Sequence, residues 1–355
     1  MDVARPGSDM SINFRWRAIP IDTVKAIMEA GFIENIEYRP SAATQLTHNL
    51  EQLSEDQRNA VRILIAKPES IENKEFQALS AQERANLLIT AYKYVRYQAT
   101  GNARDEKAAT TSHQLLIKRS QLGKQNQSSL KPQIQRPTPP EKGHHTRMLS
   151  VSVGQIENKN MTKISFRPAY HSLADNSGGI ARGGQINFFQ PTFIISESNS
   201  YLSRFDVIDI TSLAPRDEFF KPIAWRVNFS AHRPDQSSSL TWALTGGPGV
   251  AYQLGENWLS YGLGIAHVEY NGQFEQNTGL AAGYQIGALY YGNKWTTHLD
   301  YQKRSFAYSS EQREKISVIL NRQLTSNSSL RISAQRVIVS DKTEDEASIG
   351  FQFHF

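Results

Sequence analysis

From about Thr146 to Phe355, polar and apolar residues alternate in one segment after another. In the last segment Ile349, Phe351, Phe353 and Phe355 fall on one face, and Gly350, Gln352 and His354 on the other. A half-buried strand has this period of two. Twelve strands are predicted, near 147–155, 161–170, 183–195, 200–212, 222–233, 239–253, 257–269, 278–291, 294–303, 313–323, 328–339 and 346–355. In the fifth, Trp225, Val227, Phe229 and Ala231 oppose Arg226, Asn228, Ser230 and His232. In the tenth, Ile316, Val318 and Leu320 oppose Ser317, Asn321 and Gln323. In the eleventh, Leu330, Ile332 and Ala334 oppose Arg331, Ser333 and Gln335. A soluble sandwich buries such polar faces only with a partner for each group, whereas a water-filled or plugged barrel interior accepts them. The predicted fold class is mainly β with a small α-helical N-terminal module, the β part being an antiparallel outer-membrane-type β-barrel of about twelve strands. A soluble β-sandwich is the competing fold. It accounts more easily for the fourth segment, where Arg204 and Asp206 share a face with Leu202 and Ile208 unless a bulge shifts the register.

Phe351, Phe353 and Phe355 are predicted to close the barrel against the first strand near Leu149 and Val151. Gly255-Glu256-Asn257, Gly292-Asn293 and Ser326-Asn327-Ser328 are short turns. Asn271 to Asn277, Ser305 to Gln312 and Ser340 to Glu346 are longer and polar. Short periplasmic turns and longer outer loops alternate in this way in outer-membrane barrels. Trp258, Tyr261, Tyr290, Tyr291 and Trp295 stand near strand ends and suit an interfacial girdle. Gly246-Gly247-Pro248-Gly249 reads as a bend or bulge.

Ahead of the strands the period changes to that of helices. Ser54-Glu55-Asp56-Gln57 and Ser80-Ala81-Gln82-Glu83 are capping boxes. The first opens a helix with Val61, Leu64 and Ile65 on one side, and the second a longer one with Leu87, Leu88, Ala91, Tyr92 and Val95 at helical spacing. A third helix is predicted from Ser112 to Leu122. Residues 45–122 thus form a helical module, with Tyr92, Tyr94 and Tyr97 as its core and rim. Residues 123–145 are a linker rich in proline, glutamine and serine. Residues 1–44 hold one short helix, Thr23 to Ala30, capped by Asp22 and stopped by Gly31. They cannot bury a core alone and read as the tail of a truncated periplasmic domain.

Composition adds limits. Mean hydropathy is −0.50 and no run of 18 apolar residues occurs, which excludes helical spans and leaves a barrel open. There are 0 cysteines, so disulfides, thiolate metal sites and a cysteine nucleophile are excluded within this chain. The net charge of +5 is spread along the sequence and reads as a solvated surface, with no nucleic-acid partner expected. Met1-Asp2-Val3-Ala4-Arg5-Pro6 lacks the pattern of an export signal. Because a barrel needs export, the true start is expected upstream.

No Walker loop, HExxH, GxSxG or dinucleotide fingerprint is present. No catalytic, cofactor-binding or metal residue is singled out, and no cofactor is expected. His144, His145, His171 and His232 match no metal spacing and read as surface residues. Two connections, running from His171 to Gly179 and from Ser212 to Pro222, are too long for the presumed periplasmic side. They and their neighbours supply the candidate periplasmic-face or interdomain residues, which are Arg167, His171, Asp175, Arg216, Asp217 and His144.

Arg15-Trp16-Arg17-Ala18-Ile19-Pro20-Ile21-Asp22-Thr23-Val24 and Tyr38-Arg39-Pro40-Ser41 resemble the end of the periplasmic catalytic domain in the Lnb-type family of bacterial envelope proteins. Gly143-His144-His145-Thr146-Arg147, Arg167-Pro168-Ala169-Tyr170-His171 and Ser212-Leu213-Ala214-Pro215-Arg216-Asp217 resemble that family's C-terminal β domain. The resemblance implies lipoprotein N-acylation by a cysteine nucleophile with histidine assistance, since a thiolate needs a nearby base at neutral pH. In relatives the cysteine lies shortly before the segment matching Asp2 to Gly7, and none of the family's catalytic residues falls on this sequence. What it implies for this chain is a barrel and helical module, inactive alone, anchoring or scaffolding an acyltransferase-like domain that is absent here. The implied location is the outer membrane with a periplasmic N-terminal part. The implied partners are outer-membrane lipid, lipoproteins and the barrel-assembly machinery. A barrel for solute binding or passage, and a soluble β-sandwich binding module, are the alternatives.

Overall fold

The structure, a computed structural model, describes residues 20–33, 35–100, 105–124, 134–176, 178–197, 199–233, 239–271, 278–340 and 342–355. It divides into two units, one of Glu34–Pro137 and one of Met1–Ile33 with Thr138–Phe355. Residues 1–19, which include part of the Lnb-like stretch, lie outside the described residues. Helix α1 (Pro20–Glu29) belongs to the second unit. It begins two residues before the expected cap, Asp22. It ends by Gly31, whose φ of 74° suits glycine.

The first unit is helical, with α2 (Ala42–Glu51), α3 (Glu55–Ala66), α4 (Lys74–Gln77), α5 (Ala81–Gln98) and α6 (Glu106–Gln121). Both capping boxes close. Gln57 N donates to Ser54 Oγ at 3.2 Å while Ser54 N donates to Gln57 Oε1 at 3.1 Å. Glu83 N donates to Ser80 Oγ at 3.2 Å while Ser80 N donates to Glu83 Oε2 at 2.9 Å. Two helices differ from expectation. The module expected from residue 45 begins earlier, because α2 starts at Ala42 on its own cap, with Thr44 N donating to Ser41 Oγ at 3.1 Å. The third predicted helix starts at Glu106, not Ser112, because Asp105 accepts from Ala108 N at 2.9 Å and the run Ala108-Ala109-Thr110-Thr111 shows no apolar period. Leu46, Val61, Leu64, Leu87, Leu88 and Leu115 form the core at 1% exposure or less, and Tyr97 stands on the rim at 37%.

Among the described residues the second unit carries thirteen strands: β1 (Met148–Ile156), β2 (Lys159–Arg167), β3 (Tyr170–His171), β4 (Gly184–Ser196), β5 (Ser200–Ser212), β6 (Ala224–His232), β7 (Thr241–Leu254), β8 (Trp258–Tyr270), β9 (Thr278–Tyr291), β10 (Trp295–Phe306), β11 (Gln312–Thr325), β12 (Ser328–Val339) and β13 (Lys342–His354). Twelve of them close into an antiparallel ring, because β1 pairs with both β2 and β13, and β2 pairs onward with β4. The two-residue β3 only caps the start of β4. At the closing seam Val151 faces Phe351 and Leu149 faces Phe353, and Phe355 N donates to Arg147 O at 2.9 Å.

The ring presents apolar side chains outward, including Val151 at 44%, Phe351 at 46%, Ile332 at 43% and Trp225 at 40% exposure. A closed sheet has no unpaired edge, which is what a hydrocarbon surrounding demands. Closure and an apolar outer belt make this an outer-membrane-type barrel. At the fourth predicted strand the register of β5 slips against β4 beside Ser203 and against β6 beside Val207. These bulges turn Arg204 and Asp206 into the lumen while Leu202 and Ile208 keep to the lipid side. The lipid-facing charge that favoured a sandwich is thereby removed.

Three smaller expectations change. The connection expected from Ser340 to Glu346 is shorter, because β13 already begins at Lys342, which pairs with Val339. Gly246–Gly249 is not a bulge. β7 continues through it, with Gly246 opposite Ala266 and Gly249 opposite Leu263 at unchanged register although the pairing with β8 lapses at Gly247 and Pro248, and a Cβ on Gly247 would collide with the carbonyl of Gly264. Of the proposed girdle, Trp258 and Trp295 face outward at 41% exposure each, with the Tyr290 ring tilted against that of Trp258 at a centre distance of 5.1 Å. Tyr261 and Tyr291, at 6% and 3%, point inward.

Candidate functional site: the plugged lumen and its chamber

Inward-facing residues set two layers inside the ring. At the end carrying Met148 and His354, here called the terminal end, the lumen is solid. Leu173, Leu213, Ala251, Leu259, Leu289 and Tyr291 pack together there. Leu173 comes from the connection between β2 and β4, which folds into the ring. Gly183 N donates to Tyr291 Oη at 2.9 Å, and Leu173 N donates to Gln185 Oε1 at 3.1 Å. Asp175 O accepts from Thr296 Oγ1 at 3.4 Å. The segment leaves β2 and meets β9 and β10 on the far side of the twelve-strand ring, so it spans the lumen as a floor.

Asp175 anchors the floor. Arg167 Nη2 donates to its Oδ2 at 2.5 Å, Arg331 Nη2 to its Oδ1 at 2.9 Å, and Ser172 N to Oδ2 at 2.9 Å. The side chains of Arg167 and Asp175 are both 1% exposed. Burial pushes the Asp175 carboxyl up, but Arg167 and Arg331 outweigh it and hold the group well below the usual carboxylate range. A buried charge is tolerable only when paired in this manner.

His144 and His354 pack beside the pair, their rings tilted to each other with centres 4.2 Å apart. Their Nε2 atoms lie 4.0 and 3.9 Å from Asp175 Oδ2. His144 Nδ1 donates to His145 O at 2.6 Å, which leaves Nε2 as an acceptor, and that atom is buried without a partner. Burial pushes the His144 imidazole down. These three groups form a possible cation-ligand set, but two guanidiniums already satisfy the carboxylate and give the site a positive balance. The arrangement suits an internal latch better than a metal.

The sequence-picked residues divide accordingly. Arg167, Asp175 and His144 meet in the latch. His171 stands at its edge beside Gly184 and feels the charge of Asp175. Arg216 and Asp217 do not reach the latch. Arg216 N donates to Ala251 O at 2.8 Å, and Asp217 Oδ1 accepts from Phe219 N and Phe220 N at 2.7 and 2.6 Å, capping a turn of the β5–β6 connection. His144 is 6% exposed and is therefore not the surface residue its spacing suggested. Arg331 and His354 were legible only as members of polar faces.

Beyond the floor the lumen opens into a cavity of about 660 Å³. It extends from Met148, Arg331 and Gln352 to Ile156, Val339 and Glu344 beside the turns of the opposite end. Its wall carries a charged network. Glu269 accepts from His267 Nε2 at 2.9 Å and from Arg313 Nη1 at 2.8 Å. The His267 proton therefore sits on Nε2, and Nδ1 accepts from Thr245 Oγ1 at 2.6 Å and Arg304 Nη1 at 3.0 Å. Arg204 grips Asp206 through three contacts of 2.6 to 2.9 Å, and Lys163 pairs with Glu346.

Two family models match this sequence. Domain of unknown function (DUF7842) covers residues 36–130, and Domain of unknown function (DUF7840) covers residues 137–354, more than half of the chain. The chain belongs to the DUF7840 family. The matched residues of that family include every strand described above. No curated protein matches the sequence significantly. Solved structures resembling this DUF7840 chain include an outer membrane channel from Pseudomonas putida F1, 12% identical over 60% of this chain and 96% of that one, with a TM-score of 0.38. The KdgM porin in complex with disordered oligogalacturonate is 8% identical over 59% and 99%, with a TM-score of 0.35. The Acinetobacter baumannii outer membrane protein Omp33 is 8% identical over 60% and 99%, with a TM-score of 0.32.

Proposed function

We propose that the barrel sits in the outer membrane with the chamber mouth facing outward, and that it binds small polar solutes in the chamber above a closed floor. The observation that carries this reading is the union, within one lumen, of a packed floor and a polar cavity of about 660 Å³. Small-molecule sites have volumes of this order. A permanently open pore needs a continuous water path, and the connection holding Leu173 and Asp175 interrupts it. Any passage therefore requires that connection to move. Planar-bilayer recording of the purified full chain tests this. The wild type is expected to show no steady conductance and Asp175→Asn frequent openings. A large steady wild-type conductance would overturn the closed floor.

A second reading rests on α1. Lys25 Nζ donates to Gly143 O at 3.4 Å, which brings residues upstream of the helical unit to the segment just before β1. This favours an anchor, in which the terminal end seats a periplasmic domain of the kind the Lnb-type resemblance implies. Translating the DNA upstream of Met1 tests it. An in-frame Asn-Cys-Ser with an export signal supports the anchor, and a stop codon removes it.

A further inference from the structure

Most cations in the chamber wall have a carboxylate partner. Arg204 holds Asp206, Arg226 holds Asp209, Lys163 holds Glu346, and Arg313 holds Glu269. Arg304 and Lys315 depart from this pattern, both lining the cavity. Among the described residues neither forms an ion pair. Arg304 reaches only the His267 imidazole, and its Nε is buried without a hydrogen-bond partner. Arg304 lies directly opposite Arg313 across the β10–β11 pair, so like charges are adjacent. Across the lumen Arg233 packs its guanidinium 5.6 Å from the Tyr201 ring, and its Nε is likewise buried and unpartnered, as is His232 Nδ1.

Placing uncompensated cations and unmet donors around one cavity is unfavourable unless an acceptor enters it. Guanidiniums and an ammonium lining a low-dielectric recess favour oxygen anions, which arginine binds in a bidentate manner. We propose that the chamber is a site for a compact polyanion carrying two or more phosphoryl or carboxylate groups, held by Arg304, Lys315 and Arg233. This rests on the chamber being open to solute, as proposed above.

The test uses the full chain in detergent, with titration calorimetry of pyrophosphate and of citrate at low salt. Saturable binding of at least one is expected, weakened at least tenfold by Arg304→Gln and by Lys315→Gln. It should be retained in Arg304→Lys and unchanged in Arg336→Gln, which alters an exposed pair with Asp345. Tighter pyrophosphate assigns phosphorylated solutes, and tighter citrate assigns polycarboxylates. Heat-modifiable gel migration confirms that each variant is folded. A small thiol reagent on Ser317→Cys, a chamber position, reports access independently. If Ser317→Cys reacts but neither anion binds, or if binding survives Arg304→Gln and Lys315→Gln, the polyanion site is wrong while the chamber stands. If Ser317→Cys does not react in the folded barrel, the open chamber itself is wrong.

Discussion

At the scale of single residues the floor depends on one carboxylate. Asp175 is the shared acceptor of two inward guanidiniums, so Asp175→Ala strands Arg167 and Arg331 together. Breaking a buried pair by removing one partner costs about 3–5 kcal/mol, and equilibrium unfolding of the barrel in urea should read a loss of that order. Arg336→Ala, at an exposed pair, should change stability by less than about 1 kcal/mol. The latch also predicts a pH dependence. Burial lowers His144, and lowers His171 from 6.5 to about 4. Their folded forms stay neutral where the unfolded chain takes up protons, so stability is fully present above pH 6.5 and falls as pH drops from 6.5 towards about 4. Asp175 is depressed from 3.8, so its contribution is lost only below that pH. Thermal unfolding in detergent should therefore decline in two stages on acidification. Asp175→Asn should shrink the lower one.

At the scale of elements, two kinds of face do different jobs. The lipid face is continuous because the β5 bulges keep Arg204 and Asp206 inside. An arginine introduced on that face, as in Val151→Arg, should cost roughly 2–4 kcal/mol at mid-bilayer. Refolding into lipid vesicles would measure it, with Ser317→Arg in the lumen as the mild comparison. At the closing seam Gly350 pairs with Ser152, and a Cβ on Gly350 would meet the Ser152 side chain. Gly350→Val should therefore open the barrel first along β1–β13, seen as early hydrogen exchange in those strands. The barrel strands were readable from alternation because lipid outside and a largely polar lumen inside impose a period of two, which the bulges of β5 interrupt. Tyr261 was misread as a girdle residue although it lies three positions from outward Trp258 and so on the opposite face. Adjacent Tyr290 and Tyr291 likewise cannot share a face. The period contained that answer, and composition near the strand ends obscured it.

At the scale of the whole molecule a lipid-facing ring, a floor made by its own connection, and a chamber with surplus positive charge belong to one barrel. Asp175 could be picked from sequence because its connection is too long and too charged for a plain turn, with Arg167 just ahead of that connection and His144 just ahead of the first strand. Their convergence with Arg331 and His354 could not, since alternation gives the side a residue faces and not its height along the lumen. The same gap hid Arg304 and Lys315, which read simply as inward polar positions. The central claim is a membrane barrel with its mouth outside and its terminal end inside. The chain has 0 cysteines, so single introduced thiols report cleanly. Intact cells producing Ser309→Cys, in the exposed β10–β11 turn, or Ser326→Cys, in the exposed β11–β12 turn, would be treated with a polymer-bound maleimide too large to cross the outer membrane. With the mouth outside, Ser309→Cys reacts on intact cells and Ser326→Cys only after permeabilisation. Equal reaction of both, whether before or after permeabilisation, or the reverse order, would contradict it.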